Sequence, residues 1–263
     1  MMLKNRILTA LAIAFFALLA IFALPLWAFS LFFLVTASFG VFEWAGFAGI
    51  ESFRAKVYYT GLFVLFAAAL YLLKDYFSDF IGLVSVLWMF AIGSILIYPR
   101  GEFLYKNQWF VGTLGLVIML GAWVSLCMLR AHEQGALWLV WLFVLTTATD
   151  VGAYFVGKAF GKNQLASQLS PGKTWEGALG GGAIATMICA STLVYGQSYS
   201  FFGALLLTVA LVCMSVFGDL FESLLKRTSG VKDSGTILPG HGGLLDRIDS
   251  IIAVLPILTW VII

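Results

Sequence analysis

Ser200–Lys226 reads SFFGALLLTVALVCMSVFGDLFESLLK, and its first nineteen residues carry no charge. A membrane-spanning helix needs about 20 apolar residues, so this stretch is long enough to cross a bilayer. Its far end carries Asp219, Glu222, Ser223 and Lys226, spaced i, i+3, i+4 and i+7. That spacing lines them along one helical face. With a rise of about 1.5 Å per residue, Asp219 lies roughly 10 Å below Lys226 along the axis, inside the membrane boundary.

Runs of the same character recur from end to end. The chain is 62% hydrophobic and only 11% charged, whereas ordinary soluble domains carry about 25% charged residues. Hydropathy places nine candidate spans near 6–24, 26–47, 57–73, 80–98, 108–129, 136–157, 177–195, 200–226 and 244–263. The expected fold class is therefore all-α: a polytopic integral membrane protein of about nine transmembrane helices with a cytoplasmic N-terminus. Residues 1–263 are expected to form one membrane domain, with N-terminal helices over 1–135 and catalytic helices and cytoplasmic loops over 136–263. Only Pro25 and its neighbours separate the first two spans, so eight is the competing count. MMLKNR ahead of an apolar run resembles a signal peptide; the second span that follows at once favours a retained first helix.

The loops give an independent test of orientation. With nine spans and the N-terminus inside, the inner segments hold Lys4, Arg6, Arg54, Lys56, Arg100, Lys106, Lys158, Lys162, Lys173, Lys226, Arg227, Lys232 and Arg247, and the outer ones only Lys74 and Arg130. Thirteen against two follows the positive-inside bias. The two longest polar connections, 158–176 and 227–243, share that inner side. The net charge of +2 says little by itself, and no nucleic-acid partner is expected. Cys127, Cys189 and Cys213 each stand alone in an apolar run, without metal-ligand spacing or a disulfide framework. They are expected to be buried small hydrophobes. His132, on an outer loop, is given no role.

Polar residues concentrate after the opening stretch, in Ser223–Asp249, SLLKRTSGVKDSGTILPGHGGLLDRID. Asp246 and Asp249 stand i and i+3 at the start of the final span. If that face meets the Asp219 face, three aspartates converge in a partly desolvated place. Like charges so close require a cation or a shifted protonation state. All-oxygen donors suit a hard ion, with Mg²⁺ the leading candidate. The plainer alternative pairs Asp219 with Arg227 or Lys226, and Asp246 or Asp249 with Arg247. His241 lies in Pro239-Gly240-His241-Gly242-Gly243, where glycines permit close backbone approach to an anion; it would orient the loop, contact phosphate or act as acid–base.

A second loop carries Ser170-Pro171-Gly172-Lys173-Thr174-Trp175-Glu176-Gly177. Gly-Lys-Thr looks like the end of a P-loop, but the position that needs an earlier glycine is Ser167, and no strand is expected ahead of it. What remains is a lysine and hydroxyls opening a helix, a good place for an anion. Upstream, Asp150 lies one turn from Tyr154; it serves either a helix–helix contact or the site, since intramembrane carboxylates are costly. Glu43 is the remaining buried acid, in the inner half of the second span.

The Ser223–Asp249 stretch resembles the signature of the phosphatidate cytidylyltransferase (CDP-diacylglycerol synthase) family, matching at Ser223, Lys226, Arg227, Lys232, Asp233, Pro239, His241, Gly242, Gly243, Asp246, Arg247 and Asp249. The resemblance extends to Asp150–Gly161 and Ser170–Gly177, with Gly172 where the family commonly has lysine. It implies transfer of CMP from CTP to phosphatidic acid, giving CDP-diacylglycerol and pyrophosphate, by a homodimer in the bacterial inner membrane with its site facing the cytoplasm. It implies Asp219, Asp246 and Asp249 as ligands of Mg²⁺, with room for a second cation. Lys173, Lys226, Arg227, Lys232 and Arg247 would bind triphosphate or lipid phosphate, with Ser223 and Thr174 in support. Asp150 belongs to the expected substrate site; His241, Gly242 and Gly243 would shape the loop, and Asp233 would contact nucleotide or pair with Lys232. A CTP-dependent lipid kinase, a cytidylyltransferase for another lipid phosphate and an ion-coupled transporter are the alternatives. The transporter predicts repeat symmetry and charges near midplane, where this chain instead crowds its charges at one face.

Overall fold

Among the described residues, which in this computed structural model are 2–237 and 242–263 with side chains from residue 12 onward, nine helices have 18 residues or more. They are α1 (Met2–Ala23), α2 (Leu26–Phe47), α3 (Phe53–Leu72), α4 (Phe77–Ile97), α6 (Gln108–Ala131), α7 (Gly135–Phe160), α8 (Trp175–Gln197), α9 (Phe201–Thr228) and α10 (Leu245–Ile262); α5 (Glu102–Lys106) is a short connector. Between α7 and α8, β1 (Gln164–Ala166) and β2 (Ser170–Thr174) pair antiparallel. The nine long helices fall on the nine hydropathic runs. Seven of them are long and apolar enough to cross a membrane: α2, α3, α4 with its preceding turn, α6, α7, α8 and α9. Helix α10 is not among the seven: Asp246, Arg247 and Asp249 occupy its first two turns, and it has only 18 residues.

Polar residues punctuate the apolar runs. Ser52, Asn107, Thr174 and Ser200 cap α3, α6, α8 and α9, each side-chain oxygen accepting first-turn amides at 3.0–3.2 Å. Such caps satisfy donors that the helix itself leaves open. Pro25, extended at φ −64° and ψ 157°, breaks α1 from α2.

Helix α6 is the central strut: 83% of its apolar window is buried, against 17% for α3, which leaves α3 facing lipid. Trp44 of α2 crosses to α6 and donates its indole N–H to the Val111 carbonyl at 2.9 Å. Helices α2, α4 and α10 pack around α6, and α9 lies between α8 and α10.

Two close approaches then set the site. A Cβ on Gly152 would stand 2.8 Å from Gly181 Cα, and one on Gly181 would strike the backbone of Ala153 and Thr149. Small residues thus bring α7 and α8 together, as in many membrane helix pairs. On the other side, a Cβ on Gly218 of α9 would lie 2.7 Å from the Asp249 carbonyl of α10. Asp150 is thereby drawn toward the hairpin, and Asp219 toward Asp249.

Candidate active site

The two carboxylate-bearing faces do meet. A cavity of about 510 Å³ is lined by Asp150, Tyr154 and Lys158 of α7, Lys173 and Thr174 of β2, Asp219, Glu222 and Lys226 of α9, and Asp246, Arg247 and Asp249 of α10. Four elements, three of them helices, bring these residues together. Glu176 pins the hairpin base, its carboxylate accepting from the Lys162 and Asn163 amides at 3.1 and 3.2 Å. The Thr174 hydroxyl accepts the Gly177 amide as the cap of α8, and so holds Lys173 at the cavity wall.

The charges are paired across helices. Lys173 forms an ion pair with Asp219. Lys226 reaches both Glu222 and Asp246 at 2.8 Å, tying α9 to α10. For Asp219 and Asp246 these partners differ from those of the plainer alternative. Asp219 takes its cation from the β2 strand, and Asp246 takes Lys226, because these partners face one another across the cavity, while Lys226 also holds Glu222 one turn back on α9. Arg227 instead lies exposed and donates its Nε–H to the Leu169 carbonyl at 3.0 Å.

Asp246 is the most heavily bonded member. Its Oδ2 accepts from the Ser234 amide at 3.1 Å, the Ser234 hydroxyl at 2.9 Å and the Gly243 amide at 2.9 Å, while Oδ1 faces Lys226. Gly242, at φ +83°, makes the turn that aims the Gly243 amide; a side chain is strained there. Asp249 Oδ1 accepts the amide of Ser250 at 2.7 Å. Glu222 is 5% exposed, and its Oε1 has no hydrogen-bond partner.

Other sequence candidates are placed differently. Ser223 is buried in α9. Lys232 and Asp233 are exposed on the following loop and do not line the cavity. Pro239, Gly240 and His241 lie outside the described residues. Of the cysteines, Cys127 and Cys189 are buried but Cys213 is exposed, a correction to the expectation for all three. Cys213 opens onto an apolar groove rather than packing inward. Sequence reasoning gave no task to Glu43 or Ser234, which hold the Asp246 loop. Their contacts join segments about two hundred residues apart, beyond any local pattern.

Among the described residues no three His, Cys, Asp or Glu side chains are gathered closely enough to clasp an ion, and Asp219 and Asp246 are each paired with a lysine. The donor chemistry nevertheless fits a hard cation: carboxylate oxygens only, with the buried Glu222 Oε1 lacking a partner.

Next to this cavity lies an apolar groove of about 900 Å³ between α8 and α9, closed at one end by the hairpin. Leu165, Ala178 and Val216 line both.

Residues 4–263 match the model of the Cytidylyltransferase family. The chain is 41% identical over 260 residues to a phosphatidate cytidylyltransferase of Pseudomonas aeruginosa, covering 97% of this chain and 95% of that one. It is 35% identical to one from Haemophilus influenzae, over 98% of each chain. A third, from Bacillus subtilis, is 34% identical over 97% of this chain and 96% of its own length.

Proposed function

This chain belongs to the cytidylyltransferase family, and we propose that it transfers CMP from CTP to phosphatidic acid, releasing pyrophosphate and leaving CDP-diacylglycerol in the bilayer. The observation that carries this reading is the junction of the two cavities. A charged chamber suited to phosphates shares Leu165, Ala178 and Val216 with an apolar groove suited to acyl chains. A transporter has no need of such a junction, and a lipid kinase would release CDP instead of pyrophosphate.

The chemistry asks little proton transfer of the protein. A lipid phosphate oxygen, already ionised, attacks the α-phosphorus of CTP; the bond to the β-phosphate breaks, and pyrophosphate leaves with the electron pair. The barrier lies in bringing two polyanions together and in the charge on the leaving group. Lining the chamber are five carboxylates (Asp150, Asp219, Glu222, Asp246, Asp249) and four cations (Lys158, Lys173, Lys226, Arg247), a formal charge of −1. Such a lining cannot neutralise a triphosphate by itself, and this supports a cation as part of the site. Mg²⁺ would supply charge neutralisation of the phosphates, and Asp219, Asp246 and Asp249 would hold it once Lys173 and Lys226 turn from Asp219 and Asp246 to the phosphates. Lys173, Lys226 and Arg247 then orient phosphate oxygens, and Tyr154 bounds the chamber on the α7 side.

In the same proposal the site faces the cytoplasm of a bacterial inner membrane, supported by the thirteen basic residues assigned to that side. The assembly is a homodimer; light scattering should then give a protein mass of about twice 28.7 kDa in detergent. The direct test of function is pyrophosphate release by the purified chain with CTP, Mg²⁺ and phosphatidic acid. Release that needs all three and collapses in Asp246→Asn supports the proposal. Well-folded protein that releases none, across several lipid phosphates, refutes it.

A further inference from the structure

Glu43 sits at the inner end of α2, 3% exposed, and its carboxylate reaches none of the cavity's cations. Its Oε2 accepts the Leu245 amide at 2.9 Å, in the first turn of α10. A carboxylate at a helix N-terminus meets open donors and the positive end of the dipole. Among the described residues α10 has no side-chain cap of its own: Leu244 occupies that position. Glu43 therefore supplies from another helix what Ser, Thr or Asn supplies at α3, α6, α8 and α9.

The same carboxylate is enclosed by the loop that precedes α10. The amides of Leu244 and Ile237 also bear on it. A Cβ on Gly243 would come 2.8 Å from Glu43 Oε2, and one on Gly235 would collide with Oε1, so the loop wraps the carboxylate at backbone distance. Ser234 links this anchor to the cavity. Its hydroxyl stands 2.9 Å from Asp246 Oδ2 and 3.5 Å from Glu43 Oε2, and its amide donates to the same Asp246 oxygen. Asp246 Oδ2 is thus taken up by the anchored loop, which turns Oδ1 toward Lys226 and the chamber.

We infer that Glu43 and Ser234 are positioning residues: Glu43 fixes the first turn of α10 and the Ser234–Gly235 segment, and Ser234 sets the carboxylate of Asp246 toward the chamber. The link to catalysis rests on the function proposed above; the anchoring does not.

The experiment compares the full chain with Glu43→Ala, Glu43→Gln and Ser234→Ala in detergent, following tryptic cleavage after Lys232 and, separately, kcat and KM. Cleavage tracks how often the loop opens. Losing a hydrogen bond to a charged acceptor should raise it about tenfold or more in Glu43→Ala. Glu43→Gln should restore most of the protection, because the amide oxygen still accepts from Leu245. Ser234→Ala, a small change in a half-buried side chain, should keep its melting temperature and lower kcat severalfold at unchanged KM for either substrate. Cleavage unchanged in both Glu43→Ala and Ser234→Ala overturns the inference, as does a loosened loop with kcat unaffected. If the variants loosen the loop but the parent chain releases no pyrophosphate, the anchoring stands and the assigned reaction falls.

Discussion

Lys226→Met removes the one cation that joins Glu222 of α9 to Asp246 of α10. The side chains of Lys226, Glu222 and Asp246 are 17%, 6% and 12% exposed, so water screens the pairs weakly. Breaking a buried ion pair by deleting one partner costs about 3–5 kcal/mol, mostly because the remaining charge is stranded. Asp246 keeps three other donors, whereas Glu222 would lose its one cation and be left beside the Asp249 carboxyl, with Oε1 already without a hydrogen-bond partner. The loss therefore falls chiefly on a single carboxylate, at the lower end: about 3 kcal/mol. For a chain of this size that is a fall in melting temperature of about 6–12 °C, read by thermal denaturation in detergent. Adding Glu222→Gln removes the stranded charge and should recover more than half of the fall, a non-additivity expected only of groups in contact. A single variant melting within 2 °C of the parent (roughly 1 kcal/mol or less), or a double variant melting no higher than the single, refutes the ion-pair arrangement.

Other perturbations separate the parts of the site. Gly181→Val should force α7 and α8 apart and lower the melting temperature by several degrees, with activity lost as Asp150 is displaced from the cavity wall; a variant of normal activity would contradict the close approach. Gly172→Lys should fold unchanged, because a Cβ there meets nothing within 4 Å. The added cation should lower the KM for CTP by about fivefold, the effect of about 1 kcal/mol in a partly screened cavity. N-ethylmaleimide should label Cys213 and spare Cys127 and Cys189, and labelling should raise the KM for the lipid while CTP binding is kept. Equal labelling of all three would contradict the burial pattern.

Much of this arrangement was legible in the residues, for physical reasons. Apolar runs of bilayer length can fold only as helices in lipid, so α2 falls on 26–47 as expected, and α4 and α7 within a few residues of their hydropathic bounds. The i, i+3, i+7 spacing on α9 and the i, i+3 spacing on α10 placed Asp219, Asp246 and Asp249 on facing stripes. What the sequence hid was which distant partners meet, the pairing of Lys173 with Asp219 among them. Lys173 lies 46 residues before Asp219, on a strand whose Ser-Pro-Gly-Lys-Thr composition carries no alternating apolar signal. Glu43 acts 202 residues from the amide it caps, and a single acid in an apolar run cannot disclose which distant helix end it serves.

Leu165, Ala178 and Val216, shared by the charged chamber and the apolar groove, also decide which concentration governs the enzyme. Under the proposed reaction the acyl tails stay in the groove while the headgroup reacts in the chamber, so neither lipid substrate nor lipid product passes through water. Turnover should then follow the mole fraction of phosphatidic acid in the surrounding lipid or micelle. Diluting that surface with inert detergent at fixed bulk substrate should slow the enzyme, whereas diluting micelles of fixed composition in buffer should leave its lipid saturation nearly unchanged.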